Sequence, residues 1–322
     1  MSAPAIAAKG LRVVYRPGLF QRKRVGLAGL DLSVAENEIF GYVGANGAGK
    51  TTTIKTLVGL MQPDGGEAWI LGQPAVDATA RAGLGYAPEN PYFYEYLTAR
   101  ETLEFYARLF GVDRATRRKR AGELLDRVGL SAAADRRVRQ FSKGMLQRLG
   151  LAQAMVNDPK VLILDEPMTG LDPVGRHDVR GLILELKARG KTVFFSSHIL
   201  SDVEALCDRA AILHDGRMVS CGRIAEMLSG KVLDVEMVLA GAAPELEKDL
   251  ARLAVRSRRQ GEELFLTLAD EPAADEAVRL AVAAHASVRS LVRTRESLED
   301  YFLRVRREAG AGGAGQQEEA GA

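Results

Sequence analysis

The sequence predicts an α/β chain: a largely parallel, buried sheet flanked by helices, with an antiparallel β subdomain, an inserted helical subdomain and a small α+β domain at the end. Two segments and one change of period carry that prediction. IFGYVG, residues 39–44, and VLILDE, residues 161–166, are apolar runs of strand length. Strands buried on both faces of a parallel sheet read in this way. From residue 160 to 228 the runs VLILDE, TVFFSS and RAAILHDG alternate with helical stretches, which is the order of a layered α/β sheet.

Taken in order, residues 6–90 alternate short strands with turns such as PDGG at 63–66. Within them the strand 39–44 leads into GANGAGKTT, residues 44–52, and then into TTTIKTLVGL, residues 51–60, which reads as a helix. Gly44, Gly49, Lys50 and Thr51 satisfy G-x-x-x-x-G-K-[ST], and strand, loop and helix form the context of a P-loop NTPase core. Gly44, Gly47 and Gly49 remove Cβ atoms where the backbone must curl and turn N–H groups inward. Lys50 is placed to reach the β- and γ-phosphates of ATP, and the Thr51 hydroxyl to take Mg²⁺. Asn46, Ala48 and Thr52 belong to the same cradle.

Residues 95–158 read as helical and form the inserted subdomain. Toward its end FSKGMLQR, residues 141–148, precedes the apolar-periodic run LGLAQAMV. Ser142 and Gly144 open that helix with a hydroxyl and bare backbone N–H groups, a second anion site. A second phosphate-binding helix end has little use when the first site is full, so two chains are expected to face each other. In VLILDEP, Asp165 is expected to hold Mg²⁺ through water. Glu166, on the other side of the strand end, is expected to polarise the water that attacks the γ-phosphate. Beyond residue 230, LDVEMVL, PELEKDLARLA, AVRSRRQ, ELFLTLA, DEAVRLAVAAHA and SVRSLVR read as strand, helix, strand, strand, helix, strand. This is the split βαβ order of a ferredoxin-like sandwich, assigned to residues 231–307 with the closing helix ESLEDYFLRVRR. AGAGGAGQQEEAGA, from 309 to 322, reads as a disordered tail.

Over residues 6–228 the motifs, in order, resemble the ATP-binding subunits of ABC transporters. GANGAGKTT is similar to Walker A, VLILDEP to Walker B and FSKGM to the LSGGQ signature that separates this family from other P-loop NTPases. TGLD, residues 169–172, resembles the D-loop, FFSSHIL places His198 at the switch histidine, and Tyr15 stands where an aromatic stacks on adenine. The resemblance implies two ATP molecules sandwiched head to tail between two chains, a homodimer or a pair with a related ATPase subunit. It further implies that Glu166 orients water, His198 holds the γ-phosphate, Lys50 serves catalysis and Asp172 couples the two sites. Two motifs depart from the family pattern. Phe141, Lys143 and Met145 replace the commonest signature residues, and Glu89 in GLGYAPEN replaces the usual Q-loop glutamine. A carboxylate at Glu89 can still ligate Mg²⁺, and both Glu89 and the ending SLEDYFLRV resemble subunits of ABC-2-type exporters.

Composition sets limits. With 322 residues, 47% hydrophobic and 27% charged, the chain has ordinary globular usage and room for two domains. No apolar run reaches the ~20 residues that cross a bilayer, and the first residues lack a signal-peptide core. A cytoplasmic protein is expected, peripheral on the inner face of the membrane, with an integral membrane permease as partner. A net charge of +2 gives no case for nucleic acid. Cys207 and Cys221 have no metal spacing, and the four histidines form no HExxH. Basic clusters at Arg22–Arg24 and Arg117–Arg120 read as solvated faces, with contact to anionic head groups as the alternative. Residues 90–111 are the expected docking surface, where Tyr92, Phe93, Tyr94 and Tyr96 line a groove for a short permease helix or, for some of the rings, pack in the core. The competing function is a soluble ABC switch on ribosomes or in DNA repair. Such proteins usually carry two cores or a long coiled coil, and neither is present here.

Overall fold

The computed structural model describes residues 3–16, 23–228 and 232–314. The chain forms two compact units, one running to Ile224 and resuming at Val305, the other spanning Ala225–Arg304.

The first unit opens with β1 (Ile6–Tyr15) and β2 (Arg24–Val34), followed by β3 (Ile39–Gly44), α1 (Lys50–Leu57), β4 (Gly65–Ile70) and the two-residue β5 (Gln73–Pro74). The antiparallel sheet has the order β2-β1-β4-β5. Its first two strands are 10 and 11 residues long, not the short strands expected. Glycine explains the length: Gly10 and Gly29 sit at φ 61° and 92° near shifts in the β1–β2 register, so the strands bend and continue. Gly65 and Gly66, read from sequence as turn residues, instead open β4. A Cβ on Gly66 would stand 2.3 Å from the Gly10 carbonyl oxygen, so the close strand approach needs glycine there.

The unit continues with β6 (Leu84–Ala87), α2 (Ala99–Leu109), α3 (Arg114–Arg127), α4 (Lys143–Ala154), β7 (Val161–Asp165) and α5 (Pro173–Ala188). It goes on with β8 (Thr192–Ser197), α6 (Leu200–Leu206), β9 (Arg209–His214) and β10 (Arg217–Arg223), and α7 (Ile224–Met227) begins at its last residue before the second unit. The central sheet has the order β10-β9-β3-β8-β7-β6. All its pairs are parallel except the edge hairpin of β9 with β10. The fully buried β3, β7 and β8 stand side by side, so their carboxyl ends converge on one edge, where open α/β sheets bind ligands. Phe40 and Phe194 stack at 5.8 Å across β3 and β8, and the Tyr42 hydroxyl meets Thr53 Oγ1 at 2.9 Å, tying β3 to α1. Helices α2, α3 and α4 lie between residues 99 and 154. α2 starts with a capping box, Thr98 Oγ1 accepting from Glu101 N while Glu101 accepts from Thr98 N.

The second unit comprises β11 (Val232–Ala240), α8 (Pro244–Leu253), β12 (Ala254–Gln260), β13 (Glu263–Leu268), α9 (Glu271–Ala283) and β14 (Ser287–Arg295), before α10 (Leu298–Ala314). Its sheet has the order β12-β13-β11-β14, every pair antiparallel, which is the ferredoxin-like arrangement. Val235, Met237 and Leu239 of β11 and Leu264, Leu266 and Leu268 of β13 alternate inward. They pack on Leu246 and Leu250 of α8 and on Ala274, Ala277 and Ala281 of α9. α10 runs through Ala314, past residue 309 at which composition suggests a tail, and helix propensity does not explain the extension, since residues 309–314 hold as many glycines as alanines. Residues 315–322 of the expected tail lie outside the described residues, as does Arg22 of the first basic cluster.

Candidate functional site

The loop between β3 and α1 is shaped by two glycines in the left-handed region, Gly47 at φ 84° and Gly49 at φ 111°. A Cβ on Gly49 would lie 2.7 Å from the Gly26 carbonyl oxygen, so the loop can press against β2 only with glycine there. The Thr53 N–H is bonded to the Gly49 carbonyl at 2.9 Å. The N–H groups of Lys50, Thr51 and Thr52 stand ahead of it in the first helical turn, where intrahelical acceptors are lacking and an anion is welcome. Over this turn opens a cavity of about 810 Å³, lined by Asn46, Gly47, Gly49, Lys50, Thr51 and Thr52 of the loop and helix. Its other walls come from Tyr15, Arg24, Glu89, Glu166, Thr169 and His198. Gly44 and Ala48 lie beneath the cavity and not on its wall. Ala48 is buried, and a Cβ on Gly44 would stand 3.0 Å from Ala48 Cβ.

Three chain segments meet at the carboxyl edge of the sheet. Lys50 Nζ donates to the Gly44 carbonyl at 2.7 Å and stands 3.3 Å from Glu166 Oε1, the two side chains only 7% and 8% exposed. The second oxygen, Glu166 Oε2, meets His198 Nδ1 at 2.8 Å and accepts from Thr169 Oγ1 at 3.2 Å. The loop lysine, the strand-end glutamate and the switch histidine therefore form one line, with the carboxylate in the middle. Glu166 holds φ 50°, a conformation that costs a side-chain-bearing residue about 1–3 kcal/mol and persists only when its surroundings fix it. They do: its N–H donates to Ser196 Oγ at 2.9 Å, and Gln147 Nε2 donates to its carbonyl at 3.5 Å and to that of Pro167 at 3.4 Å.

Asp165 is buried one residue earlier and faces away from that line, its Oδ1 accepting from Ser196 Oγ at 2.6 Å. Burial and the Asp165 charge push the Tyr86 phenol up to about 12. Ser196 thus serves both acids, bonding the backbone of one and the side chain of the other. Neither it, nor Gln147, nor Thr169 is singled out in the sequence reading. The available signal was polar character in places that should be apolar: two serines closing the wholly buried strand TVFFSS, and a glutamine on the buried face of α4.

Tyr15 stands at the rim, its hydroxyl 2.8 Å from Thr52 Oγ1, and a Cβ on Gly26 would approach its ring to 2.7 Å. Glu89 is exposed on the cavity wall, in the loop after β6. Ser142 and Gly144 do not reach this cavity. Ser142 is exposed and caps α4, accepting from Met145 N at 3.3 Å, and Gly144 has Leu171 for its neighbour. Asp172 also stands apart, exposed at the cap of α5, where Oδ1 accepts from Gly175 N at 2.8 Å.

A phosphate loop, two acids and a histidine at the carboxyl edge of a parallel sheet, joined to a helical insertion that carries a second helix-start site, define an ATP-hydrolysing cassette. The family model for ABC transporters matches residues 27–169. The chain is 45% identical over 306 residues to an ABC transporter ATP-binding protein of Synechocystis, covering 92% of this chain and 83% of that one. It is 36% identical over 309 residues to the Nod factor export ATP-binding protein I of Ralstonia nicotianae, covering 94% of both. Among solved structures, a dimeric post-hydrolysis ATP-binding cassette bound to ADP and Pi superimposes with a TM-score of 0.64 at 25% identity, over 68% of this chain and 98% of that one. An ATP-binding subunit of an ABC transporter gives 0.63 at 34% identity, over 70% and 92%. The chain belongs to the ABC transporter ATP-binding proteins, and its activity is ATP hydrolysis in transport.

Proposed function

We propose that the chain is the motor of an exporter: it binds two ATP molecules in a head-to-tail dimer and drives a separate integral membrane permease. The observation that carries the reading is the separation within one chain of the cavity wall from Ser142 and Gly144. Among the described residues the cavity has a phosphate floor and no lid, whereas α4 offers an exposed helix start. A two-fold pair in which each chain covers the other's cavity satisfies both. The dimeric cassette with ADP and Pi supports the arrangement, and the Nod factor export relative supports the outward direction.

The residues fit the ligands. Gly47 and Gly49 keep the floor free of side chains, Lys50 supplies a mobile cation, and the Tyr15 ring lies at the rim for the adenine. The oxygens of Thr51, Asp165 and Glu89 suit a hard cation. Among the described residues no group of three or more His, Cys, Asp or Glu could hold a metal, which fits magnesium taken up with substrate phosphates. When bound, Mg²⁺ supplies neutralisation of phosphate charge. Lys50 must leave Glu166 to reach the phosphates, and Glu166 is then free to orient the attacking water. His198 holds the γ-phosphate edge, Ser142 and Gly144 of the partner subunit close over it, and Asp172 relays closure to the second site. Cleavage removes the contacts that hold the two halves together, and the pair opens.

Among the described residues no helix is long and apolar enough to cross a membrane, and the proposal assigns the path to the permease, with this chain peripheral on the cytoplasmic face. Its dock is the aromatic surface after Glu89. Phe93 is buried at 5% exposure with its ring against Tyr106, in the core position left open for some of these rings, and it lines the cavity beside them. Tyr92, at 83%, with Tyr94 and Tyr96, stays exposed, and a cavity of about 290 Å³ lies beside Pro91, Tyr92, Tyr106 and Phe110. Tyrosine at such a surface suits a helix that is half apolar.

Affinity purification from detergent-solubilised membranes is expected to recover a multi-span protein with this chain, and the pair in liposomes to move substrate with ATP. A chain that emerges alone and hydrolyses ATP without transport overturns the motor reading in favour of a soluble switch. Replacement of Glu89 by glutamine is expected to leave ATP binding intact and to change the Mg²⁺ dependence or the transport-to-hydrolysis ratio. Equal rates for both proteins across Mg²⁺ concentrations remove Glu89 from the metal site.

A further inference from the structure

We propose that Arg24 is a phosphate-binding residue of the nucleotide site, contributed by β2 and independent of the loop. The assignment rests on the reading of the cavity as an ATP site. Arg24 lines that cavity, and it is exposed. It pairs with Tyr15 in the antiparallel β1–β2 register, so the two side chains emerge side by side on one face.

Two observations aim it at the phosphates and not at the base. A Cβ on Gly47 would stand 2.9 Å from Arg24 Nη2, so the guanidinium occupies the space that glycine leaves open directly over the loop. The second is charge. Two side chains of fixed positive charge line the cavity, Lys50 and Arg24, and Lys50 is already engaged, 3.3 Å from Glu166. Among the described residues, the Arg24 guanidinium has no hydrogen bond or ion pair. It is therefore a cation over a phosphate cradle that, among the described residues, has no bond to break before taking its ligand.

A planar guanidinium matches two phosphate oxygens at once, which a lysine cannot do. The family match begins at residue 27, so Arg24 stands outside the residues that match supports. Arg24 makes the first contact with the incoming triphosphate, before Lys50 is released from Glu166. The contact grows with the number of phosphates, favouring ATP over ADP and both over AMP.

Calorimetric titration of the full chain with ATP, ADP and AMP tests this, comparing the natural protein with Arg24→Ala and Arg24→Lys. The alanine variant is expected to bind ATP about tenfold more weakly and to bind AMP unchanged. The lysine variant should fall between. Equal ATP affinity in the alanine variant overturns the assignment. So does an equal loss for ATP and AMP, which marks Arg24 as support for the Tyr15 ring. A natural protein that binds none of the three overturns the nucleotide reading, and this assignment falls with it.

Discussion

Replacing Glu166 with glutamine is expected to lower ATP turnover by at least about 100-fold, the scale on which a positioned base contributes, and to trap an ATP-bound dimer. The side chain keeps its size, and an amide can still meet His198 and Thr169. What changes is charge. In the structure Glu166 Oε1 stands 3.3 Å from Lys50 Nζ, in a place where both side chains are almost wholly buried. An arriving triphosphate must compete with that carboxylate for the lysine. Glutamine removes the competitor and leaves Lys50 with the Gly44 carbonyl alone, so phosphate binding tightens while the water loses its base. Two measurements should move in opposite directions: ATP affinity up, turnover down. A variant that keeps full ATPase activity removes Glu166 from the catalytic role, and one that loses both binding and turnover reduces it to a support for the loop.

How far the sequence foretells this site depends on whether a residue's job is local. Gly44, Gly49, Lys50 and Thr51 bind through a turn that they themselves build, so their spacing alone discloses them. The strand VLILD reads as buried because every one of its side chains is buried. The environment of Glu166 is another matter. Its partners lie 19 positions away at Gln147, 30 at Ser196 and 32 at His198, and only the adjacency of β7 and β8 brings the last two together. Its positive φ is imposed by those partners and leaves no mark in the composition.

β6 carries no strand signature of its own for a related reason. GLGYA lacks an aliphatic run because a Cβ on Gly85 would meet the Ala154 carbonyl at 2.0 Å, so packing against α4 selects glycine in the strand. The ferredoxin-like unit was legible because β11 and β13 alternate between core and surface and its helices carry their own apolar stripes, while β12 is exposed along nearly its whole length. In the aromatic segment sequence could not separate Phe93 from its neighbours, because ring type does not distinguish a core position from an exposed one.

Two crippled variants, mixed, are expected to recover activity that neither has alone. Lys50→Ala removes the cation of the phosphate floor, and Ser142→Arg puts a bulky cation at the start of α4. Each pure dimer then holds two defective sites and should hydrolyse ATP at background rates. In a mixed dimer one site combines both defects. The other combines the intact floor of the Ser142→Arg chain with the intact α4 of the Lys50→Ala chain. Random pairing at equal amounts makes about half of the dimers mixed, each with one working site of two, so about a quarter of natural activity should return if the sites act independently. Ser142 caps α4, and its loss costs about 1 kcal/mol. That is small against the stability of a folded unit, so a general folding defect is not expected to hide the recovery. Were the site complete within one chain, mixing would give only the average of two inactive proteins. The outcome thus depends on the distance the structure leaves between Ser142 and the cavity: no movement inside one chain is asked to close it, and a second chain is.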